Sequence, residues 1–132
     1  MNKNAKEIAS NFLLFDSWEE KYEYIIDLGR ELPPLDEHLR SDVNIIRGCQ
    51  SKVWLSCKLD KNKCFFYGDS DALITKGLVA LIIKVYSGLS KDDINKIDKD
   101  FFDKIGLRDQ LSMARTNGLN LMLNKILNFA KK

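Results

Sequence analysis

Residues 53–67, Val-Trp-Leu-Ser-Cys-Lys-Leu-Asp-Lys-Asn-Lys-Cys-Phe-Phe-Tyr, carry the alternation that decides the fold. Val53, Leu55, Cys57 and Leu59 share one face of an extended chain and Trp54, Ser56 and Lys58 the other, the period of a strand with one side against a core. Asp60-Lys61-Asn62-Lys63 supplies a tight turn, with Asn62 able to take up a left-handed backbone. With Lys61 and Asn62 as the loop, Leu59 faces Cys64 and Cys57 faces Phe66, which sends Cys64 and Phe66 to the core side already occupied by Cys57. The pattern predicts an antiparallel hairpin inside a chain whose remaining apolar residues recur at helical spacing.

Outward from the hairpin, Gly68-Asp69-Ser70-Asp71 closes the second strand and opens the most apolar helix of the chain, over 72–86, with only a narrow polar stripe through Thr75, Lys76 and Lys84. Gly77 inside it costs ~1 kcal/mol relative to alanine, so close approach by another backbone is its expected reason. Gly88 fits a C-terminal cap. Upstream, 5–15 reads as a helix with Ile8, Phe12, Leu13 and Phe15 roughly on one face. Asp16 and Ser17 then offer an N-cap with Glu19 and Glu20 behind it, for a helix whose inward stripe is Trp18, Tyr22, Ile25 and Gly29. Leu32-Pro33-Pro34 ends that helix, because proline lacks the amide donor. Residues 33–44 form a connection with one short turn. Shorter amphipathic pieces centre on Ile94 and Phe101, and a last helix from Ser112 buries Leu119, Leu123, Ile126, Leu127 and Ala130. The class is α+β, a small antiparallel sheet with helices packed on it.

The 132 residues fit one domain, 1–132, with no repeat or Gly/Ser/Pro-rich linker to divide them. Apolar residues are 45% and charged residues 30%, with the signs intermixed and a net charge of +2, so neither disorder nor a nucleic-acid partner is expected. The first residues carry too short an apolar run for a signal-peptide core, and the run from Gly77 to Ile83 stops at Lys84, too short to span a bilayer. A cytoplasmic protein without membrane association is expected.

Three cysteines cannot complete a disulfide framework, so each thiol is judged by its surroundings. Cys57 and Cys64 are in phase with core residues, where a free cysteine behaves as a small hydrophobe. Cys49 follows Gly48, precedes Gln50 and Ser51, and sits between irregular chain and strand, a loop thiol that a partner can reach. Thiol chemistry needs the thiolate, favoured near cations such as Arg47, Lys52 or the more distant Arg115. An incidental surface thiol is the competing reading. A zinc site from Cys49, Cys57, Cys64 and Asp71 or His38 lacks any C-x2-C or His pair, and no metal ligand set is assigned. Ser112 suits an N-cap for the last helix, with Arg115 in its first turn, where it opposes the helix dipole, and Gly118 as a packing glycine.

Four stretches in order resemble the SufE family, of SufE and CsdE type. They are Trp18 to Gly29 with Leu32-Pro33; Gly48-Cys49-Gln50-Ser51-Lys52-Val53-Trp54; Gly68 to Ala72 with Lys76-Gly77-Leu78; and Arg115 with Gly118-Leu119. The resemblance implies the SufE/IscU-like fold, with a three-stranded antiparallel sheet against several helices. It also implies a sulfur acceptor rather than an enzyme. Cys49 would take persulfide sulfur from a partner cysteine desulfurase of SufS or CsdA type, stimulate that partner, and pass the sulfur to a downstream iron–sulfur scaffold. No cofactor is implied on this chain; pyridoxal phosphate belongs to the desulfurase. In such proteins the cysteine rests toward an apolar pocket and turns outward on docking. Arg115 would stabilise thiolate or persulfide charge. Gly48, Gln50, Ser51, Asp69, Ser70 and Asp71 would lie at the docking surface, the last three also capping the central helix. The alternatives are a non-catalytic activator of a desulfurase, with Cys49 dispensable, and a metal-binding cluster scaffold.

Overall fold

In the computed structural model, which describes residues 3–131, α1 (Lys3–Leu14) and α2 (Trp18–Glu31) lead through a short 3-10 turn at Glu37–Leu39 into the hairpin β1 (Val53–Asp60) and β2 (Lys63–Ser70). Then come α3 (Leu73–Tyr86), α4 (Lys91–Lys96), α5 (Phe101–Lys104), a second 3-10 turn at Arg108–Gln110, and α6 (Met113–Lys131). Residues 1, 2 and 132 of the expected domain lie outside the described residues.

The hairpin has the expected register, with Cys57 opposite Phe66 and Leu59 opposite Cys64. Lys61 and Asn62 both take positive φ, +50° and +68°, as a two-residue turn between twisted strands requires. The sheet has two strands, not three. What would be a third is reduced to one bridge, Ile45 to Trp54, with Ile46 N–H donating to Val53 O at 2.8 Å and Leu55 N–H to Asn44 O at 2.8 Å. The turn at 41–45 and the loop from Arg47 leave too little extended chain between them to continue the ladder.

Core side chains gather along α3, which packs on α2, β2, α1 and α6. Gly77 is where α2 and α3 meet: a Cβ there would stand 2.4 Å from Ile25 O, and one on Gly29 would stand 2.9 Å from Gly77 N. The expected close approach is thus backbone to backbone. Ser17 caps α2, accepting from Glu20 N–H at 3.3 Å. Gly88, at φ +86°, follows the end of α3 in the left-handed region.

Several apolar positions depart from the expected burial. Val53 and Leu55 are fully buried, but Cys57 is half-buried and Leu59 is 47% exposed, although Phe66 and Cys64 opposite them are buried, because α3 packs chiefly on β2 and leaves the far end of β1 uncovered. Ile8 and Phe12 are in the core as expected, joined by Ala5 on the same face of α1, whereas Leu13 is exposed. Trp18 and Tyr22 are only half-buried beside Ile25 and Gly29, and Leu127 is half-buried on α6, where Met122 is buried instead.

Candidate functional site

Cys49 sits in a six-residue loop, 47–52, closed at its base by the Ile46 to Val53 hydrogen bond. Gly48 turns the chain at φ +94°, a value costly for any residue with a Cβ. The loop then lies on the first turns of α6. Asn117 Nδ2 donates to Gly48 O at 3.0 Å, Leu121 lies beneath Gly48, and a Cβ on Gly118 would reach Cys49 Sγ at 3.6 Å. Positions 117, 118 and 121 form one patch of a helix surface, which seats the loop.

The thiol opens on a cavity of about 490 Å³ between the start of α3 and the start of α6, lined among others by Gln50, Ser51, Ile74, Thr75 and Arg115. Cys49 and Arg115, sixty-six residues apart in sequence, therefore share one hollow. Ser112 Oγ accepts from Arg115 N–H at 3.2 Å, as an N-cap does, so the cap that starts α6 also fixes the Arg115 backbone at the cavity wall. Cys49 is half-buried, and burial pushes its thiol pKa up, so the resting group is a protonated thiol. A more apolar hollow of about 410 Å³ between α1 and Phe101 contains no cysteine.

The far end of the loop is held by the corner after β2. Asp71 Oδ1 accepts from Lys52 N–H at 3.0 Å, Ser70 Oγ donates to Lys52 O at 2.8 Å, and Asp71 N–H donates to the same carbonyl at 3.2 Å. Asp69 is buried, accepts from Ser70 N–H at 2.8 Å, and pairs with Arg40 and, at 3.5 Å, Lys76. Burial pulls the Asp69 pKa upward, but the Ser70 N–H and the Arg40 and Lys76 cations outweigh it and hold the carboxyl below its usual range. Arg40 also lies over the Trp54 ring, 5.1 Å from its centroid.

These contacts correct the expected cap: the N-cap of α3 is Ala72, and no side chain of the corner caps the helix. Ser70 Oγ accepts only from Ala72 N–H, at 3.3 Å. Asp69 and Ser70 are each 7% exposed and committed to internal bonds, whereas Asp71, Gln50 and Gly48 are exposed and Ser51 half-exposed. Sequence reasoning missed Asn117 and Arg40. Asn117, a poor helix former inside a helix, was the available signal; Arg40, in an irregular connection, left none.

Cys57 is half-buried beside Lys125, and Cys64 is fully buried. Burial raises both thiols, only partly countered by Lys125 at Cys57 and by Lys91 at Cys64. Among the described residues, no group of three His, Cys, Asp or Glu side chains is placed to hold a metal ion, and no helix is long and apolar enough to cross a membrane.

The sequence profile of the SufE family, described as the Fe-S metabolism associated domain, matches residues 6–130. The chain belongs to the SufE family. It is 40% identical over 125 residues to an uncharacterised SufE-like protein of Rhizobium meliloti (strain 1021), covering 91% of this chain and 89% of that one. It is 42% identical over 130 residues to an uncharacterised SufE-like protein of Rhizobium etli, covering 95% and 88%. A solution structure of a hypothetical protein from Thermus thermophilus superposes with a TM-score of 0.81 at 16% identity, over 97% of this chain and 93% of that one, a likeness of fold. Membership of the SufE family implies a role in iron–sulfur metabolism.

Proposed function

We propose that this SufE-family protein is a sulfur acceptor and carrier. Cys49 takes sulfur from a persulfide on a partner cysteine desulfurase of SufS or CsdA type, stimulates that enzyme by clearing its cysteine, and delivers the sulfur to an iron–sulfur scaffold. The observation that carries the reading is the half-buried Cys49 thiol at the mouth of a cavity it shares with Arg115, on a loop seated against α6.

The step is a thiol–disulfide type of exchange. Cys49 thiolate attacks the outer sulfur of the partner's persulfide, a new S–S bond forms on Cys49, the old S–S bond breaks, and the partner's thiolate leaves. No oxidant or reductant is consumed. The partner supplies pyridoxal phosphate and the carbon–sulfur cleavage, so this chain is no enzyme by itself and needs no cofactor. At rest the protonated, half-buried thiol is a poor nucleophile, which guards it from oxidation. Turned outward toward the partner it leaves the desolvating cavity, and Arg115, exposed at the wall, stabilises the thiolate or the persulfide anion. Gly48, Gln50, Ser51 and Asp71 offer the contact surface, while Asp69 and Ser70 shape it from below. A cytoplasmic setting keeps the three thiols reduced.

Incubation with a cysteine desulfurase and L-cysteine is expected to add the mass of one sulfur to the peptide containing Cys49, and Cys49→Ser is expected to accept none. Sulfur on Cys57 or Cys64 instead would sink the proposal. Stimulation of the desulfurase by Cys49→Ser equal to that by the native chain would favour the purely allosteric reading.

A further inference from the structure

The two stems of the Cys49 loop are held unequally. On the Cys57 side, Lys52 is fixed by three hydrogen bonds from the Ser70-Asp71 corner. On the other side Gly48 is exposed and held by one, from Asn117 Nδ2 to its carbonyl oxygen at 3.0 Å. Among the described residues, no side-chain hydrogen bond holds Cys49, Gln50 or Ser51. The contacts that seat this part of the loop on α6 are the Asn117 hydrogen bond and the packing on Gly118 and Leu121, fewer than the bonds that hold the Lys52 stem and the Ile46 to Val53 closure. Gly48, already at φ +94°, provides the backbone freedom to turn the thiol out of its cavity.

Asn117 is otherwise ill-suited to its position. An asparagine one turn into a helix is disfavoured relative to alanine, and its exposed side chain adds nothing to the core. Its carboxamide serves the loop alone. We propose that Asn117 is a positioning residue for Cys49: by latching the Gly48 carbonyl it sets the fraction of time the thiol spends turned outward. The consequence for sulfur transfer rests on the function proposed above, but the latch itself does not.

Asn117→Ala tests it on the full chain, because alanine favours the helix and removes only the latch. Native and variant proteins are treated with iodoacetamide, and the alkylation rate of each cysteine is followed by peptide mass spectrometry. The Cys49 rate is expected to rise about five-fold, the factor carried by one exposed hydrogen bond, with Cys57 and Cys64 unchanged. Amide hydrogen exchange at residues 47–51 is expected to quicken while the thermal midpoint holds or rises. A purely structural role moves stability and leaves the Cys49 rate alone. An unchanged Cys49 rate, or an equal rise at all three cysteines, overturns the latch. Alkylation needs no desulfurase, so failure of the native chain to accept sulfur would remove the functional reading and leave the latch result standing.

Discussion

Gly118 and Arg115 lie within one helical turn and separate stability from chemistry. A Cβ on Gly118 would meet Cys49 Sγ at 3.6 Å, ordinary contact distance, inside a regular helix. Gly118→Ala is therefore expected to fold and to gain up to ~1 kcal/mol of helix propensity, measured by thermal unfolding. Arg115 is exposed, so Arg115→Ala is expected to change stability by less than ~0.5 kcal/mol, the usual range for a surface substitution. If Arg115 stabilises the outward thiolate, the same variant lowers the initial rate of sulfur acceptance about ten-fold, a loss of ~1.4 kcal/mol in the transition state. An unchanged rate would remove Arg115 from the mechanism. From sequence, Arg115 was visible as a cation in the wrong half of a helix dipole; that it shares a cavity with Cys49 was not, since nothing local links residues so far apart in the chain.

Helix α3 depends on a different glycine. At Gly77 an added methyl would stand 2.4 Å from the Ile25 carbonyl oxygen and 2.6 Å from Ile25 Cγ2, so α2 and α3 would have to separate. Gly77→Ala is expected to cost roughly 3 kcal/mol in urea denaturation despite alanine's better propensity, because overpacking two backbones has no soft neighbour to absorb it. The sequence predicted this close approach, since a glycine in so apolar a helix has few other uses. It predicted Ile8 and Phe12 on the inward side of α1 but not that Leu13 turns out or that Leu59 leaves the core, because periodicity names a face and does not say which strand the helices cover. The Asp69 corner is the other element whose role changed. Asp69→Ala is expected to destabilise by about 2 kcal/mol in the same assay, by leaving the Ser70 N–H and the Arg40 guanidinium without their acceptor.

Over the whole molecule, the shifted groups define a pH window. Cys49, Cys57, Cys64 and Tyr86 are all raised chiefly by burial, Tyr86 to about 12. A group raised on folding adds stability that is complete below its unfolded pKa and lost as pH climbs through the folded one. Lys125, lowered by burial, acts in the opposite sense over part of the same range. Asp69 is lowered, so its contribution is present above its unfolded pKa and lost as pH falls through the folded value. The thermal midpoint is expected to be flat from about pH 6 to 8, and to fall above about pH 9 and below about pH 4. In Asp69→Asn the fall on the acid side is expected to shrink, measured by calorimetry across the range.

By itself the sequence determined the α+β class, the register of the hairpin, the helix starts at Ser17 and Ser112, the close approach at Gly77, and Cys49 as the one loop thiol. Each of these is written in neighbouring residues, through a period of two or 3.6, a cap or a turn. Only the tertiary structure decided that Arg115 and Cys49 share a cavity, that Asp69 and Ser70 lie beneath the loop rather than cap a helix, and that the third strand shrinks to a single bridge. It also decided that Asn117 holds the Gly48 stem. These depend on contacts between segments distant in the chain, which are set when α6, the hairpin corner and the start of α3 pack together, and no local pattern encodes which side chains then meet.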